Sequence, residues 1–338
     1  MYFLILAILI LLSFFSENKP KKEVLIAVSV LFILFIALRS PYIDNDYQNY
    51  LRAVKQGWGI AEISYFIIAD ISYALTNDTL LIFFIYAILG ITTQFTAIYK
   101  HSCHFWLSLL FWFCTYFILL DMNAIRMGAA LGLVMMSWEP WSKNEHAKAL
   151  GFIALACVFH YSMIVLLPVY FCVRNNSKLI LLFVALVPLA YVLHFSLKAL
   201  SIFDMLNLTF VTIKSNAYKE AEINELPVFS TVLVMRMVVI ALVFYFREAL
   251  EKECSLFYLL FKLYCVGFFI VVTFADMPTV ALRLLDIFAC TELILLPMLC
   301  YRVEPRWPAI LGVTGYAVFY FFLYFIKAEY LKPYELII

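Results

Sequence analysis

Apolar runs long enough to cross a bilayer recur from Tyr2 to Ile326, separated by short polar connections. That repetition restricts the chain to one class of fold. In hydrocarbon every backbone N–H and C=O must find a partner within the protein, and runs of this length do so as helices. Spans are expected at 2–15, 24–38, 78–98, 105–120, 122–138, 178–196, 228–246, 255–274, 279–300 and 308–326. The reading is an all-α, polytopic membrane protein of about 10–12 transmembrane helices, built as a single integral membrane domain over residues 1–338. The first run has no basic stretch before it and no small-residue cleavage site after it, so it is read as a retained span.

Two stretches depart from simple spans. Residues 61–76 are interrupted by Glu62 and Asp70, and residues 149–173 carry His160-Tyr161-Ser162 with Pro168 beyond. Lys19, Lys21 and Lys22 place the first connection on the cytoplasmic side, which puts the segment from Arg39 outside. If residues 149–173 turn back at His160 as two short helices, then Arg174, Lys178, Arg247, Lys252, Arg302 and Arg306 all fall in cytoplasmic loops. Segments so short must be buried among other helices. Residues 61–76 are read in the same way as a re-entrant or interfacial element facing a cavity on the outer side. Two long external loops follow, near 39–60 and 197–227, the second a candidate cap.

Composition excludes other classes. Hydrophobic residues make up 66% of the chain and charged ones 14%, and 24 basic residues balance 23 acidic ones, so nucleic acid is not a partner. Eight cysteines occur singly, without a Cys-x-x-Cys pair. His101-Ser102-Cys103-His104 crowds three ligand types into four residues with no distant partner, which suits a polar loop better than a metal site. No metal and no cofactor is indicated.

The expensive residues are charges inside or at the ends of apolar runs, each costing roughly 2.5–3.5 kcal/mol at a helix centre on insertion scales. Arg39 closes one span, and Asp121, Asn123 and Arg126 open another. Asp276 ends a span, Arg283 and Asp286 lie in the first turns of the next, and Arg236 lies within its own. The expected topology puts these residues toward the outer leaflet. Local pairing of Arg283 with Asp286, or of Asp121 with Arg126, would satisfy them structurally. Four guanidiniums at similar depth would instead suit a lipid-anchored anion such as a pyrophosphate. His160 is either a satisfied structural residue or a base for a sugar hydroxyl, with Asp44 and Asp46 competing for that role. In the 39–52 segment, Tyr47, Tyr50 and Arg52 offer aromatic faces and a cation to a sugar phosphate, or only an interfacial anchor.

Three short motifs carry a resemblance. Leu38-Arg39-Ser40-Pro41 with Asp46-Tyr47-Gln48-Asn49-Tyr50, then Asn123-Ala124-Ile125-Arg126-Met127-Gly128-Ala129-Ala130, then Phe159-His160-Tyr161-Ser162-Met163 resemble, in order, motifs of EpsG-like, Wzy-type polysaccharide polymerases. Met127 stands where that family commonly has Gln, and no glycine precedes Asp46. The resemblance implies a multi-pass enzyme of the bacterial inner membrane, active at its periplasmic face. Such an enzyme transfers a growing glycan from undecaprenyl diphosphate to the terminal sugar of another lipid-linked unit, for O-antigen, capsule or exopolysaccharide. Its partners would be the undecaprenyl-diphosphate-linked oligosaccharide and membrane lipids, with a chain-length regulator protein left open. It implies that Arg126 and Arg283 hold the donor diphosphate, that Arg39 holds the acceptor's or helps at the donor, and that His160 or Asp46 takes the proton. Tyr47 and Tyr50 would touch sugars. Rival readings are a flippase for the same lipid-linked unit, an O-antigen ligase and a membrane acyltransferase. A transporter should carry its polar residues near the midplane in two similar halves, and no such repeat is visible here.

Overall fold

The computed structural model describes residues 1–15, 19–44, 46–56, 62–196 and 225–337. Most of the expected 197–227 cap lies outside them. Among the described residues the regular elements are helices, with two isolated β-bridges, Arg39 to Leu336 and Asp44 to Leu331. This is an all-α polytopic membrane protein. The chain divides into two compact units, Met1–Leu167 with Leu296–Ile338, and Pro168–Leu295.

In the first unit, α1 (Tyr2–Phe15), α2 (Lys22–Ala37), α3 (Tyr47–Gln56), α4 (Ile63–Thr76), α5 (Leu80–His101), α6 (Phe105–Trp112), α7 (Ile125–Ser142) and α8 (His146–Phe159) follow in order. At 22 residues α5 is about 33 Å long, enough to cross a hydrocarbon core unaided. It packs on α2, α4 and α7, while α7 packs on α8. Trp307–Phe321, extended by the π-helical Phe322–Lys327, lies against α6. The observed helices match the expected spans, with one difference of kind. Residues 279–300 form two helices, Pro278–Ala289 and Glu292–Cys300, interrupted at Cys290 and Thr291. Helix α3 is an addition to the 39–60 loop.

Helix α6 continues as a π-helix over Phe113–Asp121. The wider turn ends with Met122 N–H donating to Phe117 O and Ala124 N–H to Leu119 O, each five residues back. Asn123 Nδ2 then donates to Ile118 O at 2.9 Å, so the end of the π segment is closed by a side chain. Asp121 is buried here. Its Oδ1 accepts from Gln94 Nε2 at 2.9 Å, and the same amide donates to Gly128 O at 3.0 Å. Gln94 Oε1 accepts from Trp112 Nε1 at 2.5 Å. One glutamine on α5 thereby joins the end of the π segment to the first turns of α7, where Arg126 sits.

The arrangement requires a glycine. A Cβ on residue 128 would come within 2.6 Å of Asp121 Oδ1 and 3.3 Å of its Cγ. The short Asp side chain, held by Gln94, has little room to retreat. Gly128→Ala is expected to cost about 1–3 kcal/mol by overpacking. A lowered thermal midpoint of the detergent-solubilised protein checks this; an unchanged midpoint counts against the close approach.

The segment after α2 is fastened by the C-terminal residues. Ser40 N–H donates to Glu335 O at 2.9 Å, Lys332 N–H to Ile43 O at 2.8 Å and Ile337 N–H to Leu38 O at 2.9 Å. Tyr334 Oη donates to Phe35 O at 3.0 Å, and its ring stacks on Phe35 with centroids 4.0 Å apart. A loop leaving a helix end thus gains backbone partners from a chain segment nearly three hundred residues away.

In the second unit Ile180–Ser196, Thr231–Tyr245 and Pro278–Ala289 all pack on the buried helix Phe257–Thr273. Lys262, on that helix, donates to Arg174 O at 2.9 Å and Asn176 Oδ1 at 3.3 Å, so its ammonium ends in a polar loop. Residues 149–173 break at His160, as expected: α8 ends there, His160 is extended, a 3₁₀ turn covers Tyr161–Val165, and Leu166–Cys172 resumes as helix.

Candidate active site

Arg39, the most conspicuous residue of the sequence, is fully buried. Its Nε donates to Asp44 Oδ2 at 2.7 Å, Nη1 to Ile36 O at 2.7 Å and Nη2 to Met122 O at 2.8 Å. The guanidinium lies 5.1 Å from the Tyr47 ring centroid and 5.0 Å from that of Phe83. Tyr47 stacks on Phe83 at 3.9 Å with an interplanar angle of 13°. Every direction from Arg39 is filled by the chain itself. Asp44 Oδ1 meanwhile accepts from Tyr47 N at 2.7 Å and Asp46 N at 3.0 Å, which starts α3. Burial raises the Asp44 carboxyl from its usual value, against the pull of Arg39 and of these two N–H groups. Asp46 is half-buried, and its Oδ1 accepts from Asn49 Nδ2 at 3.2 Å. Arg52 is exposed and donates to Asn49 Oδ1 at 2.8 Å.

Arg126 differs from Arg39 in access. It occupies the first turn of α7, its side chain is 27% exposed, and it forms an ion pair with Glu62 through Nη1 and Oε2. The pair is not the Asp121–Arg126 contact that spacing allowed, because Asp121 is turned toward Gln94. The guanidinium lies 5.5 Å from the Tyr50 centroid and 5.9 Å from that of Tyr65, so two aromatic faces and a carboxylate hold the fork. Tyr65 Oη donates to Tyr50 O at 2.6 Å, tying α4 to α3. Burial pushes the Tyr47 and Tyr50 phenols up to about 12, so both remain neutral at physiological pH.

His160 completes the group. Its Nε2 is 4.0 Å from Glu62 Oε1, and its Nδ1 shares a hydrogen bond with Ser162 Oγ at 2.6 Å. Phe159, just before it, meets Tyr86 edge-on at 5.8 Å. Glu62 is 5% exposed and stands between the cation and the imidazole. The sequence reading had taken Glu62 only as an interruption of an apolar stretch. Its signal was that of any carboxylate in an apolar run, which needs a partner.

The second unit holds its own cluster. Arg236 pairs with Glu292 through Nη1 and Oε1 at 3.2 Å, both nearly inaccessible, and Tyr264 Oη donates to the same carboxylate oxygen. Asp286 is half-buried within electrostatic reach of Arg236, Glu292 and Arg283. Arg283 is exposed, and Asp276 lies half-buried in the turn before Pro278. Glu292 too went unnoticed, because 279–300 reads as one span and the break beside Glu292 leaves no proline or glycine signal. The Arg39, Asp44, Tyr47, Asn123 and Met122 contacts fix a loop, and Tyr50, Glu62, Arg126 and His160 come together beside it. Arg236, Asp276, Arg283 and Asp286 belong to the other unit.

Among known proteins, the model of the EpsG family matches residues 22–336. The amylovoran biosynthesis protein AmsC of Erwinia amylovora is 23% identical over 314 residues, a match covering 86% of this chain and 82% of that protein. No solved structure matches.

Proposed function

The chain belongs to the EpsG family, and from that premise we propose that it polymerises lipid-linked oligosaccharide repeat units in exopolysaccharide synthesis. The observation that carries this is the Arg126–Glu62–His160 group: an accessible guanidinium and an imidazole share one buried carboxylate at a helix break. A guanidinium fork suits a diphosphate, and an imidazole titrates near neutral pH, as a base for a sugar hydroxyl must. The name of the Erwinia relative, a biosynthesis protein for amylovoran, supports the substrate class.

In this reaction the terminal hydroxyl of an acceptor unit attacks the anomeric carbon of the donor glycan. The bond from that carbon to the diphosphate oxygen breaks, and undecaprenyl diphosphate leaves with the bonding electrons. His160 Nε2 takes the hydroxyl proton, while Arg126 stabilises the charge growing on the departing diphosphate. Arg39 and Asp44 act at a distance by fixing the loop that carries Tyr50. Arg283, exposed on the second unit, remains a candidate contact for an anionic headgroup. The proposed site faces the periplasm across the bacterial inner membrane, where the acceptor and donor lipids present their sugars.

The reading is tested by reconstituting the protein in liposomes with a synthetic undecaprenyl-diphosphate-linked repeat. Glycan of two or more repeats is expected, with one undecaprenyl diphosphate released per unit added. Movement of intact substrate across the bilayer with no change in glycan length would make the protein a transporter instead.

A further inference from the structure

Among the described residues, Lys262 is a buried cation with no carboxylate partner. It lies on the apolar helix Phe257–Thr273, is 2% exposed, and both its acceptors are neutral, Arg174 O at 2.9 Å and Asn176 Oδ1 at 3.3 Å. An ammonium carries three N–H donors, so one donor and the whole charge are left for a further partner. A charge within an apolar helix is costly unless something compensates it. Asn176 connects Lys262 to a cavity of about 390 Å³ in the same unit, whose lining includes Asn175, Ser177, Glu251, Ser255 and Tyr258. The walls of this cavity are held from within. Asn175 Nδ2 donates to Ser255 O at 2.6 Å and its Oδ1 accepts from Leu259 N at 3.1 Å, while Tyr258 Oη donates to Glu251 Oε2 at 2.7 Å.

We propose that this cavity binds a phosphoethanolamine headgroup, with its phosphate at the Asn176–Lys262 end and its ammonium at Glu251. Tyr258 and Lys262 are four residues apart on one helix, so their side chains share a face and start roughly 5–6 Å from each other. Tyr258 leads to a carboxylate and Lys262 to an amide, which sets an anionic pole and a cationic pole about one turn apart. The two methylenes between phosphate and ammonium in the headgroup bridge a gap of that order. Asn176 Nδ2 and the Ser255 hydroxyl have no partner among the described residues, and both are donors that a phosphate oxygen accepts from. Glu251 is the one carboxylate among the lining residues. A wholly anionic headgroup would meet it with no cation in answer, which favours the zwitterion. Leu179, Leu181 and Leu182 follow Ser177 and are all exposed. Apolar surface beside a polar cavity is where acyl chains continue from a headgroup, so the source is a membrane phospholipid rather than a soluble phosphate ester.

The test is native mass spectrometry of the delipidated full chain in detergent. The chain is titrated with dioleoyl phosphatidylethanolamine and, separately, with phosphatidylglycerol of the same acyl chains. One tightly held phosphatidylethanolamine per chain is expected, bound about tenfold better than phosphatidylglycerol, the size of one hydrogen bond to a charged group. Glu251→Gln can still accept from Tyr258 Oη and should bind the two lipids alike. Asn176→Asp keeps both bonds that Oδ1 accepts, from Lys262 Nζ and Lys178 N, and gives Lys262 an internal counter-ion. It should hold or raise the thermal midpoint, yet weaken phosphatidylethanolamine about tenfold. Unlike Lys262→Met, neither variant removes the ammonium that ties the 174–176 loop to its helix, so both are expected to fold. A Lys262 that only fastens that loop predicts no change in lipid binding from either variant. Equal binding of the two lipids by the wild type overturns the proposal. So does an unchanged preference in Glu251→Gln, or full binding by Asn176→Asp. Glycerophosphoethanolamine, the soluble headgroup, should fail to displace the lipid at equal concentration. Displacement would uphold the headgroup site and overturn the lipid as its source.

Discussion

Arg126→Ala should leave cells with surface glycan one repeat long and no ladder, a loss of polymer of at least about a hundredfold. The size follows from what the side chain offers and what could replace it. Arg126 is the guanidinium of the first unit that is both accessible and beside an imidazole, held between the Tyr50 and Tyr65 rings. Removing a donor that faces charge developing in the transition state typically costs a factor of 10²–10³ in rate. Arg126→Lys should recover a small part, because an ammonium supplies the charge without the planar fork or the stacking. Truncation also strands the buried Glu62, so lost folding must be separated from lost chemistry. The pair Arg126→Met with Glu62→Gln neutralises both members. It should restore abundance in the membrane and still give no ladder. A normal ladder from Arg126→Ala would remove the site proposed here, and loss of single-repeat glycan as well would indicate failed export of the repeat unit.

How much of this was readable beforehand differs between fold and site. The spans were legible because the bilayer imposes length and apolarity on every crossing segment, and α5 and α7 fall where the pattern puts them. The break at His160 was legible from a polar triplet inside an apolar run. The division of 279–300 was not, since Cys290 and Thr291 are compatible with a continuous helix. Within the site, sequence could say that Arg39 and Arg126 need partners, but not which partners they find. Arg39 turned inward to Asp44, Ile36 O and Met122 O, while Arg126 stayed partly open. That difference comes from contacts between segments far apart in the chain. The C-terminal residues fasten the Arg39 loop, and Glu62 reaches Arg126 across 64 positions. Local spacing could offer only pairs three to five residues apart, which is why Asp121 was the structural partner weighed for Arg126 against an anionic ligand.

Arg39→Met should be among the most destabilising single substitutions in the first unit, at about 3–5 kcal/mol. It leaves the Asp44 carboxylate in a site with no solvent access and removes donors from two carbonyls, Ile36 O and Met122 O. Asp44→Asn strands the opposite charge, yet its amide oxygen can still accept from the Tyr47 and Asp46 N–H groups that start α3. The double variant removes both charges and keeps that cap. Its remaining deficit is the two lost bonds to carbonyl oxygens, about 1–3 kcal/mol together. The expected order of thermal midpoints in detergent is therefore wild type, then the double variant, then Arg39→Met. Additive losses, with the double variant lowest, would mean that the two side chains contribute independently. The same three proteins decide the role of Arg39. A loop anchor that never touches lipid predicts polymer formation by the double variant in proportion to its folded fraction. A folded double variant that makes no polymer would place Arg39 on the substrate, reached by a rearrangement that opens its buried pocket.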